Sequence, residues 1–216
     1  MDLSKVGSVK NMMTAITPKN SGADSLSAAV NGFGRLSSPA TVRETLLNQL
    51  DAFQNAPAAA EKLRHARDAS GGNLLHHVAS FESNETAGFV PQLAGLGVDV
   101  NAPDKKGASP LFYAVARTVP SAVLISALLT VGADPNGQNL QTGKSVLVAA
   151  MMIRPPVDNL IALLEHPNTE IPAQITLSNG AKMPFDTLVS RTYTGGDLQR
   201  LQTILDQKKA PSDLEV

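Results

Sequence analysis

Cysteine and tryptophan are absent from the 216 residues, and aromatic side chains make up only 4 % of them. Without cysteine there are no disulfides, no thiolate metal sites and no cysteine nucleophile, although the compartment stays open. Neither charge is in excess. Eighteen basic and 19 acidic side chains leave a formal net charge of -1, so no overall field draws the chain to nucleic acid or to an anionic membrane, and neither is expected as a partner. Long apolar runs are missing as well. The longest, such as Ala122 to Leu129, fall far short of the roughly 20 residues that cross a bilayer. The first residues lack the apolar stretch of roughly 7–15 residues of a secretory signal. The expectation is a soluble protein that does not use the general secretory route.

What is plentiful is Ala and Leu, a mix that suits thin helices packed closely and favours a solenoid over a globular aromatic core. Residues 1–37 are rich in Ser and Asn, hold only two acids (Asp2 and Asp24) and show no sustained periodicity; disorder is expected there. At Ser38-Pro39 the pattern changes. Thr41 and Glu44 form a capping-box pair, and Val42, Leu46, Leu47, Leu50 and Phe53 recur at helical spacing. After Asn55-Ala56-Pro57 a second helix is expected from Ala58 to Ala66, so residues 38–67 read as a helical cap.

From residue 68 onward the chain repeats itself. Gly71, Gly107 and Gly143 lie 36 positions apart, and the interval is kept by Asn73, Ser109 and Ser145, by Leu75, Leu111 and Leu147, and by Val78, Ala114 and Ala150. Each column has a physical role. The glycines permit the positive φ of a tight turn, and the Asn or Ser two residues on caps a helix start. Pro110 suits a first helical position. The Leu and the small residue after it share one helix face, where a neighbouring helix can approach closely. A second helix follows each break at Ser83-Asn84-Glu85, Val119-Pro120-Ser121 and Arg154-Pro155-Pro156, and two units close with Gly97-Val98-Asp99-Val100-Asn101 and Gly132-Ala133-Asp134-Pro135-Asn136.

These residues resemble the ankyrin repeat, whose pattern runs D-x-x-G-x-T-P-L-H-x-A, a second helix, and L-L-x-x-G-A-D-x-N. Asp104-Lys105-Lys106-Gly107-Ala108-Ser109-Pro110-Leu111-Phe112-Tyr113-Ala114 is the best match, and Asp68 to Val78 places His76 at the family's histidine. The unit beginning at Leu140 keeps Gly143, Ser145, Leu147 and Ala150 but loses the Asp, and a degenerate fourth unit fits Gly180, Met183-Pro184-Phe185 and Leu188 with an insertion before Pro184. The resemblance covers residues 68–206. It implies an all-α ankyrin-repeat solenoid of stacked helix-turn-helix units, followed by a C-terminal tail at 207–216. The period of 36 exceeds the family's usual ~33.

Signals of chemistry are weak. Gly137 to Ser145 ends Gly143-Lys144-Ser145 like a phosphate-binding loop, but five residues separate its glycines where that loop needs four and a preceding strand. His65, His76, His77 and His166 lack ligand spacing, since adjacent His76 and His77 point about 100° apart on a helix. The resemblance implies instead that His76 joins turns through hydrogen bonds. Met151 and Met152 read as core filler. With no paired acids and no Ser-His-Asp grouping, no catalytic, cofactor or metal site is expected.

What remains is the surface. The resemblance implies that hairpin tips and first-helix ends bind partners. Here the tips carry Lys105, Lys106, Gln141, Lys144 and Lys182, and the first helices carry Tyr113, Arg117, Arg154 and Arg191. The acids Asp158 and Glu165 are expected on the convex side. A basic ladder on the concave face would dock an acidic protein surface. The expected function is therefore a non-catalytic, monomeric protein-binding module. A Ser- and Asn-rich leader before a small ankyrin domain looks like a bacterial effector delivered into a host cell by a non-Sec route. The alternative is a cytoplasmic inhibitor, immunity or adaptor protein that binds a cognate enzyme or toxin.

Overall fold

A computed structural model describes residues 57–80, 84–117, 121–152, 156–177 and 180–209. The expected tail at 1–37, the first cap helix, Arg154 and most of the expected C-terminal tail lie outside the described residues. The described chain is mostly helical. Among the described residues there are nine α-helices, one 3-10 turn at Asn84–Gly88 and a single two-stranded sheet. The helices are α1 (Pro57–His65), α2 (Leu74–Ser80), α3 (Phe89–Gly95), α4 (Pro110–Val115), α5 (Ala122–Thr130), α6 (Val146–Met152), α7 (Val157–Leu164), α8 (Phe185–Thr192) and α9 (Gly195–Lys209).

Local chemistry sets where these helices start. Ser109, with extended backbone, accepts a hydrogen bond from the Phe112 amide at 3.3 Å, and Pro110 follows it at the first helical position. Ser145 accepts from Val148 at 3.2 Å, Asn73 from His76 at 3.3 Å, and Ser121 from Leu124 at 3.2 Å. Each side chain satisfies an amide that has no partner inside its own helix. α3 and α5 end alike. The amides of Val98 and Ala133 reach back to the carbonyls of Leu93 and Leu128, around Gly97 and Gly132, which closes the last turn with a left-handed residue.

The helices pair in sequence and pack in two rows. α2 pairs with α3, α4 with α5, α6 with α7 and α8 with α9; along one row α4 lies between α2 and α6, and along the other α5 lies between α3 and α7, with α9 beyond α7. One continuous apolar cluster runs through both rows. The recurring columns are its backbone: Leu75, Leu111 and Leu147 are buried, as are Val78, Ala114 and Ala150. Burying each such leucine contributes roughly 1.5–3 kcal/mol, and the small residue beside it lets adjacent helices close up.

The last unit departs from an all-helical expectation. β1 (Gln174–Thr176) pairs antiparallel with β2 (Lys182–Pro184), with Gln174 opposite Pro184, Ile175 opposite Met183 and Thr176 opposite Lys182. The chain between α7 and Gly180 is long enough to form a ribbon, and Ile175 alternates inward between two exposed neighbours. Pro184 then precedes α8 directly. α9 runs through Lys209 and overshoots the boundary expected at 206. Its Lys208 ammonium donates to the carbonyls of His166, Pro167 and Thr169 at 2.8, 3.3 and 3.2 Å, placing a cation beside the C-terminal end of α7, where the helix dipole is negative.

Candidate protein-interaction surface

The turns before α2, α4 and α6 are each built around one carboxylate or amide. Asp68 Oδ1 accepts from the amides of Ser70 and Gly72 at 2.8 and 2.9 Å and from the Ser70 hydroxyl at 2.6 Å. Asp104 Oδ1 accepts from the amides of Lys106 and Ala108, both at 2.9 Å. The second oxygen closes onto the helix nine residues on. Asp68 Oδ2 meets His77 Nε2 at 2.6 Å, and Asp104 Oδ2 accepts from the Tyr113 hydroxyl at 2.7 Å. Burial alone would raise both carboxyl pKa values, but hydrogen bonds outweigh it and hold Asp68 and Asp104 below the usual range.

The third turn adds to the sequence reading. Its aspartate is absent, but Asn139 fills the role, with Oδ1 accepting from the amides of Gln141 and Thr142 at 3.0 and 2.8 Å and from the Thr142 hydroxyl at 3.0 Å. One inserted residue separates Asn139 from Gly143, so the column slips and an unshifted alignment passes over it. The amides show the same slip. Gly71 and Gly107 donate to the carbonyls of Asp68 and Asp104, three residues back, whereas Gly143 donates to Asn139, four back.

Adjacent turns are stitched together. The Lys105 amide donates to Ser70 O and the Leu140 amide to Gly107 O, both at 2.8 Å. Side chains add to this. Lys105 Nζ donates to Ala69 O at 2.8 Å, and Gln141 Nε2 to Lys105 O at 2.6 Å. His76 joins the same two units from inside: its Nε2 meets Ala108 O at 3.0 Å, while its Nδ1 lies 3.1 Å from the Asn73 amide. Since Ala108 O can only accept, Nε2 carries a proton there, while Nδ1 faces both the Asn73 amide and, at 2.8 Å, Asn73 Oδ1. Burial first, against the pull of Ala108 O and nearby carboxylates, pushes the His76 pKa down.

The expected binding residues do not form one surface. Lys105, Lys106, Gln141 and Lys144 are exposed on two adjoining turns, Lys182 is exposed on β2, and Arg191 is exposed in the last turn of α8. Lys106, Lys144, Lys182 and Arg191 enter no ion pair among the described residues, whose pairs join Glu61 to Arg64 and His65, Asp68 to His77, Asp158 and Asp197 to Arg200, and Asp186 to Lys209. Arg117 is a correction: it is only 7 % exposed, because the chain leaves α4 with Ala116 outward and Arg117 inward. Tyr113 is also drawn inward. Its hydroxyl is committed to Asp104, its ring meets His76 edge-on at 5.7 Å, and burial together with Asp104 pushes its pKa up to about 12. Arg154 lies outside the described residues.

Other features were not read from the sequence. Leu140 is 74 % exposed and Met152, expected as filler, is 48 % exposed, whereas Met151 is buried. A groove of about 290 Å³ lies beside Leu140, and a larger one of about 680 Å³ lies at the far end of the chain between Pro167–Ala173 and α9. No cluster of three or more His, Asp or Glu fit to hold a metal occurs among the described residues, and no described helix is long and apolar enough to cross a membrane. Comparison with protein-family models and with curated proteins returns no match for this chain.

Proposed function

We propose that this chain is an ankyrin-repeat solenoid acting as a non-catalytic protein-binding module, whose tip cations dock an acidic protein surface. Support for the repeat reading comes from the 36-residue columns of glycine, cap and leucine. The observation that carries the binding reading is that Lys106 and Lys144 stand exposed on hydrogen-bonded turns with no carboxylate partner among the described residues. Charges fixed on a rigid edge steer an opposite surface into register, and a stacked array varies such loops without disturbing its core. Lys182 on β2 and Arg191 at the end of α8 are exposed cations of the last unit, apart from this edge. Arg117, being buried, is left out.

Affinity capture followed by reconstitution with the captured protein tests this. The variant carrying Lys106→Glu and Lys144→Glu is expected to bind that protein at least ~10-fold more weakly, the equivalent of about 1.4 kcal/mol, and wild-type binding is expected to weaken with salt. Unchanged binding of the variant would remove the reading. The N-terminal segment belongs to the same proposal, as the secretion address of a bacterial effector. A reporter fused to residues 1–40 that stays in the producing cell would count against that part.

A further inference from the structure

We propose that Leu140 is the apolar anchor of this contact, and that the tip takes a protein segment in which an apolar side chain is flanked by carboxylates. The inference rests on the tip reading above and names the partner's chemistry. The apolar group sits on Leu140 and in the adjoining groove; the flanking carboxylates meet Lys106 of one turn and Lys144 of the next.

A lone exposed leucine is ordinary, so its setting has to distinguish this one. Leu140 is the most exposed of the large apolar side chains among the described residues, at 74 % against 58 % for Val123. It stands on a loop with little freedom. An antiparallel bridge joins Gln138 to Ser145, the Asn139 amide donates to Lys144 O at 2.9 Å, and Val146 donates to Gly137 O at 2.9 Å. Asn139 ties the loop from within, and the Leu140 amide is bound to Gly107 O. The neighbouring turn is so close that a Cβ on Gly107 would lie 2.7 Å from Leu140 Cβ. Because folding has already ordered this loop, little further ordering opposes binding there. The leucine occupies the place held by Ala69 and Lys105 in the first two turns, and of these three turns its own carries the inserted residue.

The groove sets the polarity of the partner. Pro103, Gly107, Ser109, Asp134, Gly137 and Leu140 are among its walls. Asp134 there, with Oδ1 accepting from the Asn136 amide at 2.9 Å, repels a carboxylate. An uncharged apolar side chain fits over the groove, and the partner's acids go to the lysines. A polyphosphate strand fits less well, since it would set a phosphate beside Asp134 and finds no aromatic among residues 138–145 to stack a base.

The test uses the full chain and a fluorescein-labelled, amidated peptide Glu-Asp-Leu-Asp-Glu, with Glu-Asp-Ser-Asp-Glu and oligothymidylate as comparison probes, read by anisotropy. Expected is saturable binding of the leucine peptide, weakened roughly tenfold or more by Leu140→Ser and by the serine peptide, and retained by Leu140→Met. Leu140→Ser keeps the amide that meets Gly107 O, and an unchanged thermal midpoint shows that it folds. Equal binding of the two peptides, or of wild type and Leu140→Ser, overturns the anchor; if Lys106→Glu with Lys144→Glu still abolishes binding, the tip reading survives. No saturation at millimolar peptide overturns the anchor and leaves the tip reading to the capture experiment. Tighter binding of oligothymidylate than of the leucine peptide overturns both.

Discussion

Gly107 and Gly143 occupy the same column with φ of 74° and 66°, yet they are constrained differently. A Cβ at Gly107 would lie 2.7 Å from the backbone nitrogen of Leu140, whereas a Cβ at Gly143 meets nothing within 4 Å. Gly143→Ala therefore costs about 1 kcal/mol for its left-handed backbone alone. Gly107→Ala adds a backbone clash between turns and costs about 2–4 kcal/mol. Denaturant unfolding of the two variants checks this, and equal losses would mean that the turns are not in contact.

Titration gives a second residue-scale prediction. The folded pKa of His76 lies below its usual value, so the unfolded chain takes up that proton first. Its contribution to stability is whole above about pH 6.5 and declines as the pH falls through the folded value. Asp68 and Asp104 behave likewise lower down, with stability whole above about pH 4 and lost below it. The tyrosines act in the opposite sense. Tyr113 and Tyr193 are the only two in the chain, and both are raised to about 12, chiefly by burial. Their contribution is whole below about pH 10 and is lost between there and about 12. Ring NMR of His76 and the ultraviolet phenolate titration follow these groups; a His76 midpoint at or above 6.5, or phenolate appearing near pH 10 in the folded protein, would contradict the burial described.

Between elements, asparagines do the connecting work. Asn101 Nδ2 donates to Gly132 O at 2.9 Å while its Oδ1 accepts from the Asp134 amide at 2.8 Å; one unit on, Asn136 repeats this with Asn168 O at 2.7 Å and the Glu170 amide at 2.9 Å. Each amide spans two units, and Lys208 ends the series on the last carbonyls. Asn136→Ala removes two bonds at roughly 0.5–1.5 kcal/mol each, so a loss of about 1–3 kcal/mol is expected by denaturant unfolding. Hydrogen exchange should show that loss first beyond Thr169. Uniform loosening of the whole chain would contradict a connector role.

Legibility differed by element for physical reasons. Helix starts at Asn73, Ser109 and Ser145 could be read because capping is local: one side chain meets an amide three residues on. The buried leucine columns could be read because periodicity reports which face is apolar. The β1–β2 ribbon could not, since three-residue strands carry too little pattern. Arg117 was misplaced because composition cannot tell which way a chain turns after a helix ends. Asn139 and Leu140 were missed because a one-residue insertion moved the column, and only the hydrogen bonds reveal the shift.

At the scale of the whole molecule, two rows of helices share one apolar cluster, and the turns project from it as a connected edge. Rigidity of that edge is what both the binding reading and the Leu140 anchor require. The most direct measurement is native-state hydrogen exchange at the Lys105 and Leu140 amides, which sit on exposed loop residues yet donate to Ser70 O and Gly107 O. Exchange as slow as that of helix-interior amides in α4 is expected. Exchange at the rate of unprotected loop amides would mean that the turns are not joined, and the tip would lose the order on which its proposed function depends.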